Sequence, residues 1–299
     1  MNHTEYLEPS GPFEPRYVAF LETITELRPS LHRYCSRMTG SVMDGEDVVQ
    51  EALFEAYRKL DKFDDSRPLK PWLFCIAHNR CIDFPRKRGV RVEAETAARV
   101  PDAVEAAVPP ALGLGRAVEH LVISLPPKER ACVLLKDVFD YSLEEIAALV
   151  DSTVGGVKAA LNRGRSKLAA SPIPAKLPRN VDPELTKVMK LYVERFNRRD
   201  WDGVRELISA DARLTVADAF VGNLEDAPYF RNYERFSMPW KLVMGDVDGE
   251  PVVIILQRGV DTWTPYSLVR INVVGQHIDR IVDYVHCPWI LTTASSVTV

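Results

Sequence analysis

The sequence predicts a multidomain chain: two all-α domains, the second a helix-turn-helix, followed by an α+β domain. Three observations predict it. Apolar residues recur at helical spacing from about Arg16 to Arg88 and again from Arg116 to Ala170. After Pro183 one long and one short helical stretch give way to strand-like runs separated by turn signals. Between these blocks lie pattern-poor segments, the second of which carries Pro172, Pro174, Pro178 and Pro183 and is therefore stiff and extended. The expected boundaries are a first domain at 13–91, a linker at 92–115, a second domain at 116–170, a proline-rich linker at 171–182 and a third domain at 183–299.

Composition narrows the function classes. The 299 residues are 46% hydrophobic and 27% charged, as in ordinary soluble globular proteins. A net charge of −4 argues against a whole surface that grips DNA unaided, so any nucleic-acid contact must come from local basic patches with a partner's help. The five cysteines are scattered, without a close CxxC pair, which excludes a disulfide framework. Cys75, His78 and Cys81 stand at i, i+3, i+6, but a fourth ligand is missing and the stretch reads as helix core. Neither a metal nor a cofactor is expected. No run of about 18 apolar residues could span a bilayer, and the leader "MNHTEYLEPSGPFEPR" is polar and acidic rather than a signal peptide. The expected compartment is a reducing cytoplasm, with no membrane partner.

The stretch "DGEDVVQEALFEAYRKL", Asp44 to Leu60, is a helix of two characters. At about 100° per residue, Val48, Val49, Ala52, Leu53, Ala56 and Leu60 share one side. Asp44, Asp47, Glu51 and Glu55 fall opposite, with only Arg58 among them. Taken alone, such a face is a solvated surface. The next helix, "WLFCIAHNRCIDFPRKRGVR", is basic: Arg80, Arg86, Lys87, Arg88 and Arg91 face only Asp83. Trp72, Phe74, His78 and Phe84 interleave aromatic surface, the composition of a platform for unpaired bases, although helical aromatics are more often core. Pro85 removes an amide donor and should kink or end this helix.

The segment Tyr141–Leu168 carries the helix-turn-helix. Ser142 and Glu145 form a capping box for a first helix, "DST" makes the turn, and Val154, Val157, Leu161 and Leu168 form the docking face of the second. The rest of that second helix holds Lys158, Arg163, Arg165 and Lys167 and no acid. Gly155 and Gly156 lower helix stability but let the backbone approach phosphates closely. Such a helix enters the major groove, where Lys158 and Arg163 suit phosphate or guanine and Asn162 suits an adenine edge.

In the third block, "ELTKVMKLYVERFNRRD" and "WDGVRELI" are helices. "ARLTVADAF", "PWKLVMGDV", "PVVIILQRG", "YSLVRINVV" and "HIDRIVDYV" are strands, with hairpin turns at "DVDGEP" and "VGQH".

In this order the first two blocks resemble bacterial RNA polymerase sigma factors of the extracytoplasmic-function (ECF) class, over about Phe13 to Ala170. The tail from about Asp182 is similar to SnoaL-like domains, a ketosteroid isomerase-like cone of curved sheet and helices, and some sigma factors of this class carry such a tail. The resemblance implies no enzymatic activity. It implies a chain that directs the polymerase core to specific promoters and aids their opening, with the tail acting in cis through contacts to the sigma domains. Asp44, Asp47, Gln50, Glu51 and Glu55 would meet the coiled-coil of the largest polymerase subunit, and the second domain the flap. The loop "KFDDSRPLKP" would cup a base flipped from the −10 element. Lys70, Trp72, Asn79, Arg80, Asp83, Arg86, Lys87 and Arg88 would hold that single strand. Thr153, Gly155, Lys158, Asn162, Arg163 and Arg165 would read the −35 element as duplex.

Two rival classes remain. One is a helix-turn-helix regulator that binds duplex DNA independently of polymerase. The other is an isomerase or cyclase in the tail, whose candidate pocket residues are Tyr192, Asp218, Trp240, Tyr266 and His277.

Overall fold

The computed structural model describes residues 14–64, 66–96, 125–170, 182–225 and 227–299, and for residues 14–16 and 85–96 the backbone path alone. It divides into two compact units. One gathers the described residues of Met1–Thr39, Asp44–Arg99 and Leu125–Ala170; the other gathers those of Gly40–Met43 and Ser171–Val299. Among the described residues, no helix is long and apolar enough to cross a membrane.

The helical unit begins with α1 (Glu14–Thr39), α2 (Val42–Lys59) and α3 (Leu69–Thr96). On α1, Phe20, Leu27, Leu31, Tyr34, Cys35 and Met38 recur at helical spacing and are buried. The predicted apolar side of α2 is buried from Val48 through Leu60. Leu73, Phe74, Ala77 and Cys81 of α3 complete this core. Of the two outcomes expected at Pro85, an end to the helix does not occur: α3 continues through it to Thr96, because a proline interrupts one amide bond and the turns on either side carry the helix past it. The boundary expected at residue 91 therefore falls inside a helix. The predicted helix start at Arg116 and most of both predicted linkers lie outside the described residues.

The second helical piece is α4 (Pro127–Val133), a π turn at Leu134–Val138, α5 (Leu143–Leu149) and α6 (Val154–Ala170). Pro127 at the first position of α4 has no amide to leave unsatisfied. Ser142 caps α5 in the predicted capping box: its hydroxyl accepts the Glu145 amide, and the Glu145 carboxylate accepts the Ser142 amide. Asp151, with φ of 47°, makes the turn, and Thr153 opens α6 by accepting the Gly156 amide at 3.1 Å. Val157, Ala160, Leu161 and Gly164 form the buried side of α6.

Expected as separate domains, the two helical pieces share one unit. The Arg130 guanidinium donates to the carbonyls of Met38 and Leu125. The Tyr34 ring meets Phe139 at 6.3 Å, Phe74 meets Tyr141 at 6.3 Å, and the Arg33 guanidinium lies 5.2 Å from the Phe139 ring centre.

The tail unit begins with α7 (Pro183–Asn197) and α8 (Trp201–Glu206), capped by Asp182 and Asp200. A seven-stranded sheet in the order β2-β1-β6-β5-β4-β3-β7 follows. Its strands are β1 (Ile208–Val216), β2 (Phe220–Asn223), β3 (Trp240–Val247), β4 (Glu250–Arg258), β5 (Trp263–Val274), β6 (His277–Asp283) and β7 (Val297–Thr298). Among the described residues, only β1 and β6 pair in parallel. Short helices α9 (Tyr229–Glu234) and α10 (Ile290–Thr293) lie between β2 and β3 and after β6.

The predicted turns form as Asp248–Gly249, both at positive φ, and at Gly275. "ARLTVADAF", expected as one strand, is instead a hairpin that turns at Asp218, φ 65°. The sheet is buried on both faces because alternate residues of β4 point opposite ways: Val253 and Ile255 join Tyr192, Phe196, Val204 and Tyr233 of the helices, whereas Val252, Ile254 and Leu256 join Leu268, Tyr284 and Ile290. Asn197 fastens α7 to β3 by exchanging two 2.8 Å hydrogen bonds with the Leu242 backbone. This is the α+β architecture expected of the tail.

Candidate nucleic-acid and polymerase interfaces

The outward face of α2 differs from the purely acidic surface expected. Asp44 is buried at 4% exposure, and Asp47 and Gln50 are half-buried, Gln50 donating to buried Glu46. Glu55 reaches sideways to Lys59 at 2.5 Å and to Arg80 of α3; burial is the largest single influence on its carboxyl and raises it, but the hydrogen bonds and charges of these two cations together outweigh burial and hold it below the usual range. Of the five predicted residues, Glu51 stands exposed. Beside it are two aromatic side chains that the charge pattern passes over: Phe54 and Tyr57, 64% and 54% exposed, with the Arg58 guanidinium 5.9 Å from the Phe54 ring centre. Large aromatics left in water mark a contact surface. The signal available in the sequence was a phenylalanine within about 20° of Asp47 on the helical wheel.

On α3, Trp72, Asn79 and Asp83 fall within about 40° of one another, opposite buried Phe74, His78 and Cys81. Asn79 and Asp83 are exposed, and Trp72 is half-buried, its ring centre 4.6 Å from that of Phe63. Phe63 belongs to the loop expected to cup a base. Asp64 of the same loop accepts the Ser66 amide and hydroxyl at 3.0 and 2.7 Å, and these bonds lower its carboxyl pKa. Lys70 is exposed, its ammonium 5.9 Å from the Tyr141 ring centre. Arg80 is drawn off the stripe by Glu55. Of Arg86, Lys87 and Arg88 only the backbone, in helix, is described; their side chains lie outside the described residues. The spaced trio Cys75, His78 and Cys81 serves other ends: Cys81 is buried, and the His78 Nδ1 sits 2.8 Å from the Tyr34 hydroxyl.

On α6 the exposed stripe is Gly155, Lys158, Ala159, Asn162 and Ser166, all within about 100° of arc. Among the described residues, Lys158 and Asn162 make no ion pair or hydrogen bond. Arg163 and Arg165, predicted beside them, are instead tied to the body of the domain. Arg163 donates to Glu129 at 2.9 Å, Lys167 to the same carboxylate at 2.8 Å, and Arg165 to both oxygens of Asp137. The Lys167 and Arg163 bonds hold the Glu129 carboxyl low despite its burial. A basic helix face thus resolves into a narrow central stripe flanked by cations that α4 and the π turn hold in place. Gly164 is buried where a Cβ would stand 2.9 Å from a Val133 methyl.

In the tail, the five predicted pocket residues do not gather. Asp218 is an exposed turn residue and His277 an exposed strand end, both outside the cavity. Trp240 packs in the core with its indole N–H on the Tyr233 carbonyl, and Tyr266 is half-buried beside the same core. Only Tyr192 belongs to a polar cluster, through its hydroxyl 3.3 Å from that of Tyr229. The cluster centres on Asp283, whose Oδ2 accepts from Tyr229 at 2.8 Å and Tyr233 at 2.6 Å and whose Oδ1 accepts the Val285 amide at 2.8 Å. It borders a cavity of about 360 Å³.

Similarity to known proteins extends over both helical pieces. Residues 23–91 match the Sigma-70 region 2 family model and residues 115–168 the Sigma-70, region 4 model. Over half of this chain and 87% of the relative, the sequence is 34% identical to ECF RNA polymerase sigma factor SigW of Bacillus subtilis. The chain belongs to the ECF sigma factors. Likeness to ECF RNA polymerase sigma factor SigG of Mycobacterium tuberculosis, 25% identical, extends over 91% of this chain and 83% of that one, tail included. Among solved structures, the Mycobacterium tuberculosis extracytoplasmic function sigma factor SigJ is 18% identical, with 88% of this chain and 95% of that chain covered and a TM-score of 0.34. As an ECF sigma factor, the chain has RNA polymerase and promoter DNA as its partners.

Proposed function

We propose that this sigma factor docks on the polymerase through the Glu51, Phe54 and Tyr57 face of α2, holds the opened −10 strand along Trp72, Asn79 and Asp83 of α3, and reads the −35 duplex with Lys158 and Asn162 of α6. The coiled-coil of the largest subunit is the docking partner of α2, and the flap that of the second helical piece. The observation that carries the reading is the segregation of surfaces: an acidic and aromatic stripe on one helix, and two polar or basic stripes on others, all turned outward from one core. Aromatics supply contact area, and the remaining acid supplies orientation and encounter rate.

The compact unit is a closed state. The −10 and −35 elements lie about 25 base pairs apart, ~80 Å along duplex DNA, whereas α3 is held to the segment leading into α5 by the Phe74–Tyr141 ring contact and the Lys70 ammonium over Tyr141. Both elements are engaged only after the helical pieces part, and the polymerase supplies the binding energy for that separation. The tail acts in cis on this equilibrium and performs no turnover. In vitro transcription with core polymerase on a genomic promoter library tests the reading: start sites absent with core alone are expected, and an unchanged transcript pattern would refute it.

A further inference from the structure

The tail cavity lies beside the carboxyl ends of β1 and β6, where Val216 and Asp283 are register partners. One face of α9 lines it: Tyr229, Asn232 and Tyr233 stand at i, i+3 and i+4, and Phe236 follows just past the helix. Asp283 fixes that face from behind. It has no exposed surface, and its oxygens accept from the hydroxyls of Tyr229 and Tyr233, one helical turn apart, and from the Val285 amide. Burial pushes its carboxyl up, and the two hydroxyls, the Val285 amide and the His286 charge oppose that rise. The group fastens α9 to the sheet and is spent in doing so; a ligand meets other side chains. Neither the surface assigned to polymerase nor those assigned to DNA include this cavity.

The rest of the lining decides what the site can bind. Val216, Val285, Phe236 and the rings of Tyr229 and Tyr233 make apolar walls. At the exposed side stand Arg235, Asn232, Ser237 and His286. Among the described residues, none of these four side chains makes a hydrogen bond or an ion pair. Asp283 apart, the described lining holds no acid, and Glu234, the acid of α9, accepts the Trp201 indole N–H at 2.6 Å instead. The accessible charge is therefore positive. It is carried by the Arg235 guanidinium, whose planar fork matches a carboxylate with two parallel donors. The Asn232 amide and the Ser237 hydroxyl add neutral donors beside it. The volume of about 360 Å³ falls within the usual range for small-molecule sites, which bury an apolar body and orient it with a few polar groups.

We propose that this cavity binds a small organic carboxylate with a ring-bearing apolar body, the ring packed among Val216, Tyr229 and Phe236 and the carboxylate held by Arg235 with Asn232 and Ser237. The site belongs to the tail unit, so its failure would leave the docking and DNA-reading assignments untouched. Calorimetric titration of the full chain with benzoate, phenylacetate, 2-naphthoate and indole-3-acetate, each beside its primary amide, tests it. At least one carboxylate should bind with a Kd tighter than about 1 mM, and its amide about tenfold more weakly or worse. Acetate, which carries the charge without the ring, should also bind about tenfold more weakly or worse. Arg235→Ala, at an exposed position, should weaken the carboxylate several-fold while leaving the circular dichroism spectrum unchanged. Arg231→Ala, on the same helix but outside the lining, should bind like the parent. Absence of binding by all four carboxylates would overturn the proposal, as would equal affinity for the amide or for acetate. An Arg235→Ala variant that binds as tightly as the parent would overturn it too, as would an equal loss from Arg231→Ala.

Discussion

His78 carries its ring inside the α1–α3 core, 2.8 Å from the Tyr34 hydroxyl, and burial, with a smaller push from the Lys128 charge, brings its pKa down to about 4. The unfolded chain binds the proton near pH 6.5 and the folded chain only near pH 4. The neutral ring's contribution is therefore complete above about pH 7 and is lost as pH falls towards 4, by up to about 3 kcal/mol. Urea denaturation between pH 7.5 and 4.5 should show this loss, and His78→Phe should flatten the slope. Glu129 is a second residue with a defined consequence. Its buried carboxylate holds Arg163 and Lys167, which are themselves half exposed, so Glu129→Gln should destabilise by about 1–2 kcal/mol, read by thermal denaturation. The Ser142–Glu145 capping box is visible in sequence because its partners are three residues apart. The Asp283 cluster is invisible, because Tyr229 and Tyr233 lie 54 and 50 residues away and only the fold joins them.

Among elements, α6 separates two kinds of DNA contact. Lys158 and Asn162 lie on its exposed stripe, while Arg163 and Arg165 are anchored to Glu129 and Asp137. Lys158→Ala should weaken binding by polymerase holoenzyme on all promoters alike and reduce the salt slope by about 1, whereas Asn162→Ala should cost about 1–3 kcal/mol of discrimination at one base pair. Competition binding at several salt concentrations distinguishes these patterns. Gly164→Ala forces a methyl to within 2.9 Å of Val133 and should cost about 1–3 kcal/mol of stability in the same domain. Periodicity revealed α2, α5 and α6, and turn chemistry revealed the Asp248–Gly249 hairpin, since both signals are local. It missed the break of β1 from β2 at Asp218, where an aspartate takes the left-handed turn without glycine. It also stopped α3 near Arg88, short of Thr96, because the Ala- and Val-rich residues beyond carry no clear apolar period. The pairing of Arg163 and Arg165 with α4 and the π turn depends on residues 34 and 28 positions away, so the wheel drew a broader basic face than exists.

At the scale of the whole chain, the two helical pieces share one unit, which the linker composition did not suggest, because the contacts joining them are a few rings and the Arg130 guanidinium on Met38 and Leu125. If closure opposes promoter engagement, Tyr141→Ala should raise transcription at limiting polymerase by severalfold, measured as run-off product, since it removes the Phe74 and Lys70 contacts together. Cutting the chain near Lys176 should change that output as well; equal transcription from every responsive promoter would remove the tail from regulation. The central claim, that α2 is a docking face for the transcription machinery, is tested most directly by gel filtration of the chain with core polymerase at low salt. A one-to-one complex is expected, and Glu51→Lys with Phe54→Ala should weaken it at least tenfold. Failure of the parent chain to co-elute with core, or full retention of the complex by the double variant, would contradict it.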